Sequence, residues 1–371
     1  MIKLASPDIT EEDISLVKEV ILSGNLIEGK ISETFTEKLK TFCGQEFCLL
    51  FNSGTNALFS ALFALGVKRG DYVLVPSFSF PATSNVVEML GANCIFYDVS
   101  ISSYVGSIEE IKEAYEQVKD NIFVKGIITV DEFGFPVDMG PIRHFADQHG
   151  MFLLEDAACA LGSKITSGEH VGTYSDCTIF SFHPRKVITC GEGGALITNN
   201  KKLFKKLCAI KNHGLEIVGN QRHFSDIGLN FRLTDFQVAM LLGQLNRFGT
   251  SLKIRTSLAN SYFEKLQSCS AIKLPQKAKG HNWQTFMALF KDRDTRNLIQ
   301  KKLNRDGIET NIGAQCIPNT NFAKRKYNLP IHLYKNSLHL YECGLALPLH
   351  SNVKLDEVSF ICKKLLSYNE T

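Results

Sequence analysis

The sequence predicts an α/β protein: a mostly parallel, seven-stranded central sheet with helices on both faces, followed by a smaller C-terminal α/β unit. Three observations carry this. Apolar runs of strand length recur seven times between residues 47 and 198, and helical patterns separate most of them. Those runs are apolar along their length rather than alternating, as strands covered on both faces are. The chain has 371 residues, more than the roughly 250–300 that one core normally organises, so two structural units are expected.

The elements follow in order. Residues 10–23 (TEEDISLVKEVILS) place Ile14, Val17 and Ile21 on one helical face, with Thr10 and Asp13 at cap spacing and Gly24 as the stop. A second amphipathic stretch, 33–43, ends at Gly44. Strand 47–51 runs into the polar turn Asn52-Ser53-Gly54-Thr55-Asn56 and an Ala- and Leu-rich helix to about 66. Strand, glycine-containing turn and helix make half of a β-α-β unit, and the pattern repeats. Strands 72–75, 93–97 and 126–130 precede helices 83–90, 108–118 and 141–149. Strand 151–155 ends at Asp156; strands 177–182 and 194–198 and helix 201–210 follow. The stretch 220–232 is polar and precedes an apolar helix, 234–247. Beyond about 270, strands 284–290, 308–312 and 344–347 lie between helices 294–305 and 354–367. A boundary near 250 divides the chain into a large unit, 1–250, and a smaller one, 251–371.

Composition excludes several classes. Lys and Arg number 41 against 38 Asp and Glu, a formal net charge of +3, too balanced for a nucleic-acid binder. No apolar stretch reaches the roughly 18 residues of a transmembrane helix, so no membrane partner is expected. The N-terminus is acidic where a secretory signal would be basic and then apolar. The eleven cysteines are scattered, with no C-x-x-C pair and no zinc spacing. They read as reduced thiols of a cytoplasmic protein without a metal site.

In an open parallel sheet, ligands bind beyond the carboxyl ends of the strands. Three polar groups fall there. Ser53-Gly54-Thr55-Asn56 follows the first strand and opens a helix, where backbone N–H groups attract an anion. Asp156 ends an apolar strand, where an acid needs a cationic or proton-donating partner. Lys186, in Ser181-Phe182-His183-Pro184-Arg185-Lys186, follows another buried strand, where a desolvated amine becomes nucleophilic toward a carbonyl. A phosphate cradle, an acid facing a ring nitrogen and a lysine that forms an imine with an aldehyde are together what pyridoxal 5'-phosphate requires.

The segments SGTNAL (53–58), VPSFSFPAT (75–83), FGFPVDM (133–139), EDAACALGS (155–163), SFHPRK (181–186), GEGGALITN (191–199), KNHG (211–214) and GLNFRLTDFQVA (228–239) resemble the DegT/DnrJ/EryC1/StrS sugar aminotransferases. The resemblance runs from about residue 3 to 250 and more loosely to the C-terminus. It implies a fold-type-I pyridoxal-phosphate enzyme, a homodimer with shared active sites. It makes Lys186 the imine-forming lysine and Asp156 the partner of the pyridinium nitrogen. Gly54, Thr55, Asn56 and Ser181 would hold the phosphate, with Asn230 reaching it from the neighbouring subunit. Phe80 would stack on the cofactor ring, and His183 would lie near the substrate.

The resemblance further implies amino transfer from an amino acid, L-glutamate, to a keto sugar. The usual acceptor is a nucleotide-linked 4-keto-6-deoxyhexose, in amino-sugar and surface-polysaccharide (lipopolysaccharide) biosynthesis. Arg222, His223, Lys211 and Arg232 are candidates to border the site and meet the nucleotide's phosphates. Three departures stand out. Cys159 occupies the place, near the phenolic oxygen, where the family usually has Gln or His. Asp131-Glu132-Phe133 replaces a more usual His and apolar residues. The segment 312–319 lacks the Tyr or His many members carry. A keto sugar without a nucleotide, of the octulosonate type, stays open as acceptor. Sugar dehydration is the alternative chemistry, although relatives that dehydrate carry His where Lys186 stands. An effector-sensing regulator would need a DNA-binding appendage, for which no spare basic segment exists.

Overall fold

The computed structural model describes residues 1–369. The chain opens with two helices, α1 (Glu11–Ser23) and α2 (Lys30–Cys43), before β1 (Phe47–Phe51) and α3 (Gly54–Ala64). There follow β2 (Tyr72–Pro76), the short β3 (Phe78–Ser79), α4 (Ala82–Met89), β4 (Asn93–Tyr97), α5 (Ile108–Glu116), β5 (Val124–Val130), α6 (Met139–Gln148) and β6 (Phe152–Asp156). Then come β7 (Cys177–Ser181), β8 (Gly194–Thr198) and α7 (Lys201–Lys211). The seven longer strands form one sheet in the order β1-β8-β7-β6-β5-β2-β4.

The β2–β4, β2–β5, β5–β6 and β6–β7 pairs are parallel, whereas β8 runs antiparallel to both β7 and β1. The sheet is therefore mostly parallel, with β8 the one reversed strand. That reversal matters, because the segment joining β7 to β8 leaves and returns at the same sheet end, and it carries Lys186. Successive β1 residues feed opposite cores: Leu49 and Phe51 pack with α3 and α7, whereas Cys48 and Leu50 pack with α2 and the helix after residue 234. Burial on both faces explains why these strands read as continuous apolar runs.

Past α7 the polar stretch is an exposed hairpin, β9 (Leu215–Val218) with β10 (Gln221–Phe224). The helices α8 (Asp235–Asn246) and α9 (Phe248–Leu266) follow almost without a break. The remainder comprises β11 (Phe286–Leu289), α10 (Arg293–Arg305), β12 (Gln315–Cys316), α11 (Asn321–Tyr327), α12 (Lys335–Cys343), β13 (Gly344–Leu347) and α13 (Leu355–Asn369). The strands β11 and β13 pair antiparallel, and side chains of α9, α10 and α13 bury them.

Three details differ from the sequence reading. Residues 308–312 make no strand: Ile308 bridges Ile2 and Asn311 bridges Ala346, so the segment divides its pairing between two elements. Ile14 and Ile21 of α1 are exposed, and the helix docks instead through Asp13 and Val20. Asp13 accepts from Arg247 Nη1 at 2.9 Å, and Gly243 lets α1 lie close enough for that contact, since a Cβ there would strike Asp13. The long helix α9 escapes the sequence pattern because Ser251, Arg255 and Ser261 occupy buried positions and break the apolar period.

Candidate active site

A cavity of about 400 Å³ opens at the carboxyl end of the parallel strands. That volume suits a small ligand. Its wall includes Gly54, Thr55, Phe80, Thr83, Glu132, Asp156, Cys159, Ser181, His183 and Lys186. The cluster brings together strand ends that lie far apart in the chain.

The candidate anion cradle lies at the start of α3. Ser53, in extended conformation, caps the helix by accepting from Asn56 N at 3.1 Å. Among the described residues, the N–H groups of Gly54 and Thr55 have no protein acceptor and stand at the positive end of the helix. Space here is tight. A Cβ on Gly54 would lie 3.0 Å from Ser181 Cβ, and one on Gly194 would lie 2.6 Å from Gly54 N. Glycine at both places lets the β1–α3 turn sit against β7 and β8. The Asn56 amide turns away to donate to Asn52 Oδ1 at 2.7 Å and does not line the cavity.

Asp156 is buried at the tip of β6. Its Oδ2 accepts from Thr83 Oγ1 at 2.8 Å and its Oδ1 from Ala158 N at 3.2 Å. Thr83 is itself in contact with Ser79 Oγ at 3.1 Å. No ion pair among the described residues includes Asp156. Burial raises its pKa, and the bonds from Thr83 and Ala158 and the charge of Lys186 only partly offset that. A buried carboxylate facing a cavity without a paired cation fits a cationic ring nitrogen.

Lys186 follows a turn closed by its own N–H to His183 O at 2.8 Å. Its Nζ donates to Cys159 Sγ at 2.9 Å. Burial pulls the amine toward the neutral form, but Cys159, Glu132 and Asp156 outweigh it and the net shift is upward. Cys159 moves up as well, through burial, although Lys186 opposes this. His183 is half-buried; its Nδ1 accepts from Arg185 N at 3.3 Å, and burial followed by the Arg185 charge lowers its pKa. Phe80 is 61 % exposed at the mouth of the cavity.

Glu132 was visible in the sequence only as an unusual acid after β5. It lines the cavity and is buried. Burial pushes its carboxyl up to about 7, against the pull of Lys186. The next residue, Phe133, has φ 59°, a left-handed conformation uncommon for a bulky side chain. Packing of Phe133 against Phe78 and Tyr104 holds this turn and with it the Glu132 carboxyl.

The other basic candidates do not reach the cavity of their own chain. Arg222 and His223 are exposed on the hairpin. Lys211 is buried in an ion pair with Glu28, and Arg232 donates to Asn212 Oδ1. Asn230 is exposed, bridges Asn212 and lies outside the cavity. No cluster of His, Cys, Asp and Glu suited to a metal ion exists among the described residues, and no helix there is long and apolar enough to cross a membrane.

Fold and cavity together are those of an aminotransferase, and comparison with known proteins agrees. The chain belongs to the DegT/DnrJ/EryC1/StrS aminotransferase family, whose model matches residues 7–366. It is a sugar aminotransferase, and its cofactor is pyridoxal phosphate. Among its relatives, a UDP-4-amino-4,6-dideoxy-N-acetyl-beta-L-altrosamine transaminase of Campylobacter jejuni is 32 % identical, covering 100 % of this chain and 98 % of its own. A 3-oxo-glucose-6-phosphate:glutamate aminotransferase of Bacillus subtilis is 30 % identical over 84 % of this chain and 69 % of its own. In structure the chain is similar to the Helicobacter pylori aminotransferase PseC, involved in the biosynthesis of pseudoaminic acid. The TM-score is 0.91 at 27 % identity, over 100 % of this chain and 99 % of that one.

Proposed function

We propose that this aminotransferase moves the amino group of an amino acid, L-glutamate, to the carbonyl of a nucleotide-linked keto sugar. The favoured acceptor is a 4-keto-6-deoxyhexose destined for amino-sugar and surface-polysaccharide synthesis. The observation that carries the reading is the meeting of Lys186 and Asp156 in one cavity with a free helix N-terminus beside them. Support for a nucleotide-linked acceptor comes from the Campylobacter relative, and for glutamate as donor from the Bacillus one. The latter acts on a sugar phosphate by name, which keeps an acceptor without a nucleotide as the second reading.

In this reading the N–H groups of Gly54 and Thr55 and the Ser181 hydroxyl would hold the cofactor phosphate. Asn56 braces that turn from behind. Asp156, held in place by Thr83, would pair with the ring nitrogen and keep it protonated. Phe80 would stack on the ring, and Cys159 would stand where the family usually has Gln or His. Bound there, the cofactor supplies the aldehyde that takes up the amino group and an electron-withdrawing ring that acidifies the donor's Cα–H. Lys186 would serve as the general base and acid that moves the proton of the donor's Cα. His183, held neutral by burial, borders the acceptor side. The same residues would serve the second half-reaction, with the keto sugar as acceptor. The reading includes a homodimer in which Asn230 of the partner subunit completes the phosphate site, and a division of the chain near residue 250.

The test is a two-stage titration. L-Glutamate should convert the cofactor to its amine form, and a panel of nucleotide-linked keto sugars should then be offered. Return of the aldehyde spectrum with one member, and release of the amino sugar, is expected. Failure of every nucleotide-linked sugar, with a sugar phosphate succeeding, would overturn the nucleotide assignment.

A further inference from the structure

Arg255, on α9, is 4 % exposed and lines the cavity from the side of β11 and β13. Its Nη1 donates to three main-chain carbonyls, of Trp283 and Gln284 at 3.2 Å each and of Leu349 at 3.0 Å. Its Nε is buried and makes no hydrogen bond. Its Nη2 has no protein acceptor among the described residues but, unlike Nε, is not sealed from solvent. No ion pair includes Arg255 among the described residues. The acid that acts on it from a distance, Asp8, lies 3.6 Å from Arg247 Nε. Burial lowers the guanidinium to about 10, so it stays charged at neutral pH. On the cavity side His350, whose imidazole burial keeps neutral, brings no negative charge.

A buried guanidinium without a carboxylate is costly, and three carbonyl dipoles replace only part of its hydration. Its position is also specific. The Gln284 carbonyl accepts from Arg255, while the Gln284 side chain donates to Arg185 O at 2.8 Å, next to Lys186. One residue therefore links the unpaired cation to the segment that carries the reacting amine.

We propose that Arg255 receives the α-carboxylate of the amino donor, and that this contact makes the enzyme select an amino acid over a simple amine. The proposal rests on the donor reading given above. Arginine suits the task because its planar fork matches a carboxylate and stays charged when buried.

The test uses the cofactor-loaded enzyme and two amines followed by absorbance: L-2-methylglutamate, which has no Cα–H and cannot react further, and 4-aminobutyrate, which lacks the α-carboxylate. The wild-type protein should bind methylglutamate at least about tenfold more tightly. R255K should weaken methylglutamate binding about tenfold, and R255Q about a hundredfold, while 4-aminobutyrate binding shifts less than about twofold. Equal weakening of both ligands would reveal a merely structural arginine and overturn the proposal. So would equal affinity of the wild-type enzyme for the two amines, a result that needs no variant to fold. If wild-type enzyme fails to convert L-glutamate or any other amino acid, the donor reading falls. If it converts glutamate and R255K binds methylglutamate as wild type does, only the Arg255 assignment falls.

Discussion

Lys186 Nζ donates to Cys159 Sγ at 2.9 Å, so the buried amine is held by a thiol rather than by a carboxylate or an amide. Burial works to neutralise the amine, and Cys159 is the largest influence opposing it. Cys159→Ala should therefore lower the Lys186 pKa and raise the fraction of free amine in alkaline buffer, where the thiol can ionise. Cofactor uptake by the cofactor-free protein, followed by absorbance, should become faster. Slower uptake would show that the thiol assists attachment instead.

Thr83 is buried and gives its hydroxyl to Asp156 at 2.8 Å. Thr83→Val keeps the shape and removes that bond. A hydrogen bond to a charged acceptor is worth about 1.5–3 kcal/mol, so cofactor retention measured by dialysis should weaken about tenfold to a hundredfold. An unchanged dissociation constant would mean that Asp156 does not depend on Thr83.

Glu132 sets a pH dependence of stability. Its carboxyl sits at about 7 in the fold against an ordinary value of 4.5. Below 4.5 both states carry the proton and the group is neutral in its effect. Between 4.5 and 7 the unfolded chain releases the proton and the folded one keeps it, so stability falls as pH rises, then levels off. The loss amounts to at most roughly 3 kcal/mol. Urea denaturation of the cofactor-free protein should find Glu132→Gln more stable than wild type at about pH 8, with the gap closing toward about pH 5. An equal gap at both would refute the assignment.

Much of this architecture was legible because it follows from local patterns. Each of the seven sheet strands is apolar enough to be recognised, and the turns after them carry the polar residues that meet in the cavity. Asp156 could be singled out since it ends an apolar run, where a charge needs a reason, and Lys186 since it closely follows one. Other features left no such mark. The reversed direction of β8 depends on which strand it pairs with, and no residue in GALIT records that. Arg255 looks like an ordinary helix-surface arginine in the sequence, yet α9 turns it inward to three carbonyls. The hairpin at 215–224 is exposed throughout nearly all its length and so lacks an inward-facing apolar alternation.

Gly54 is required by space. A Cβ there would approach Ser181 Cβ to 3.0 Å and push the β1–α3 turn off β7. Gly54→Ala should fold, with a stability loss of about 1–3 kcal/mol, and should bind the cofactor about tenfold more weakly. Calorimetry and cofactor titration read the two effects separately. Wild-type affinity in this variant would place the phosphate elsewhere.

The assignment of Lys186 as the point of covalent attachment is open to direct chemical reading. The cofactor-loaded protein is reduced with borohydride, digested, and its peptides are weighed. The reduced cofactor is expected on the peptide containing Lys186, with no fixed cofactor in Lys186→Ala. Recovery of the label on a different lysine, or its persistence in that variant, would contradict it.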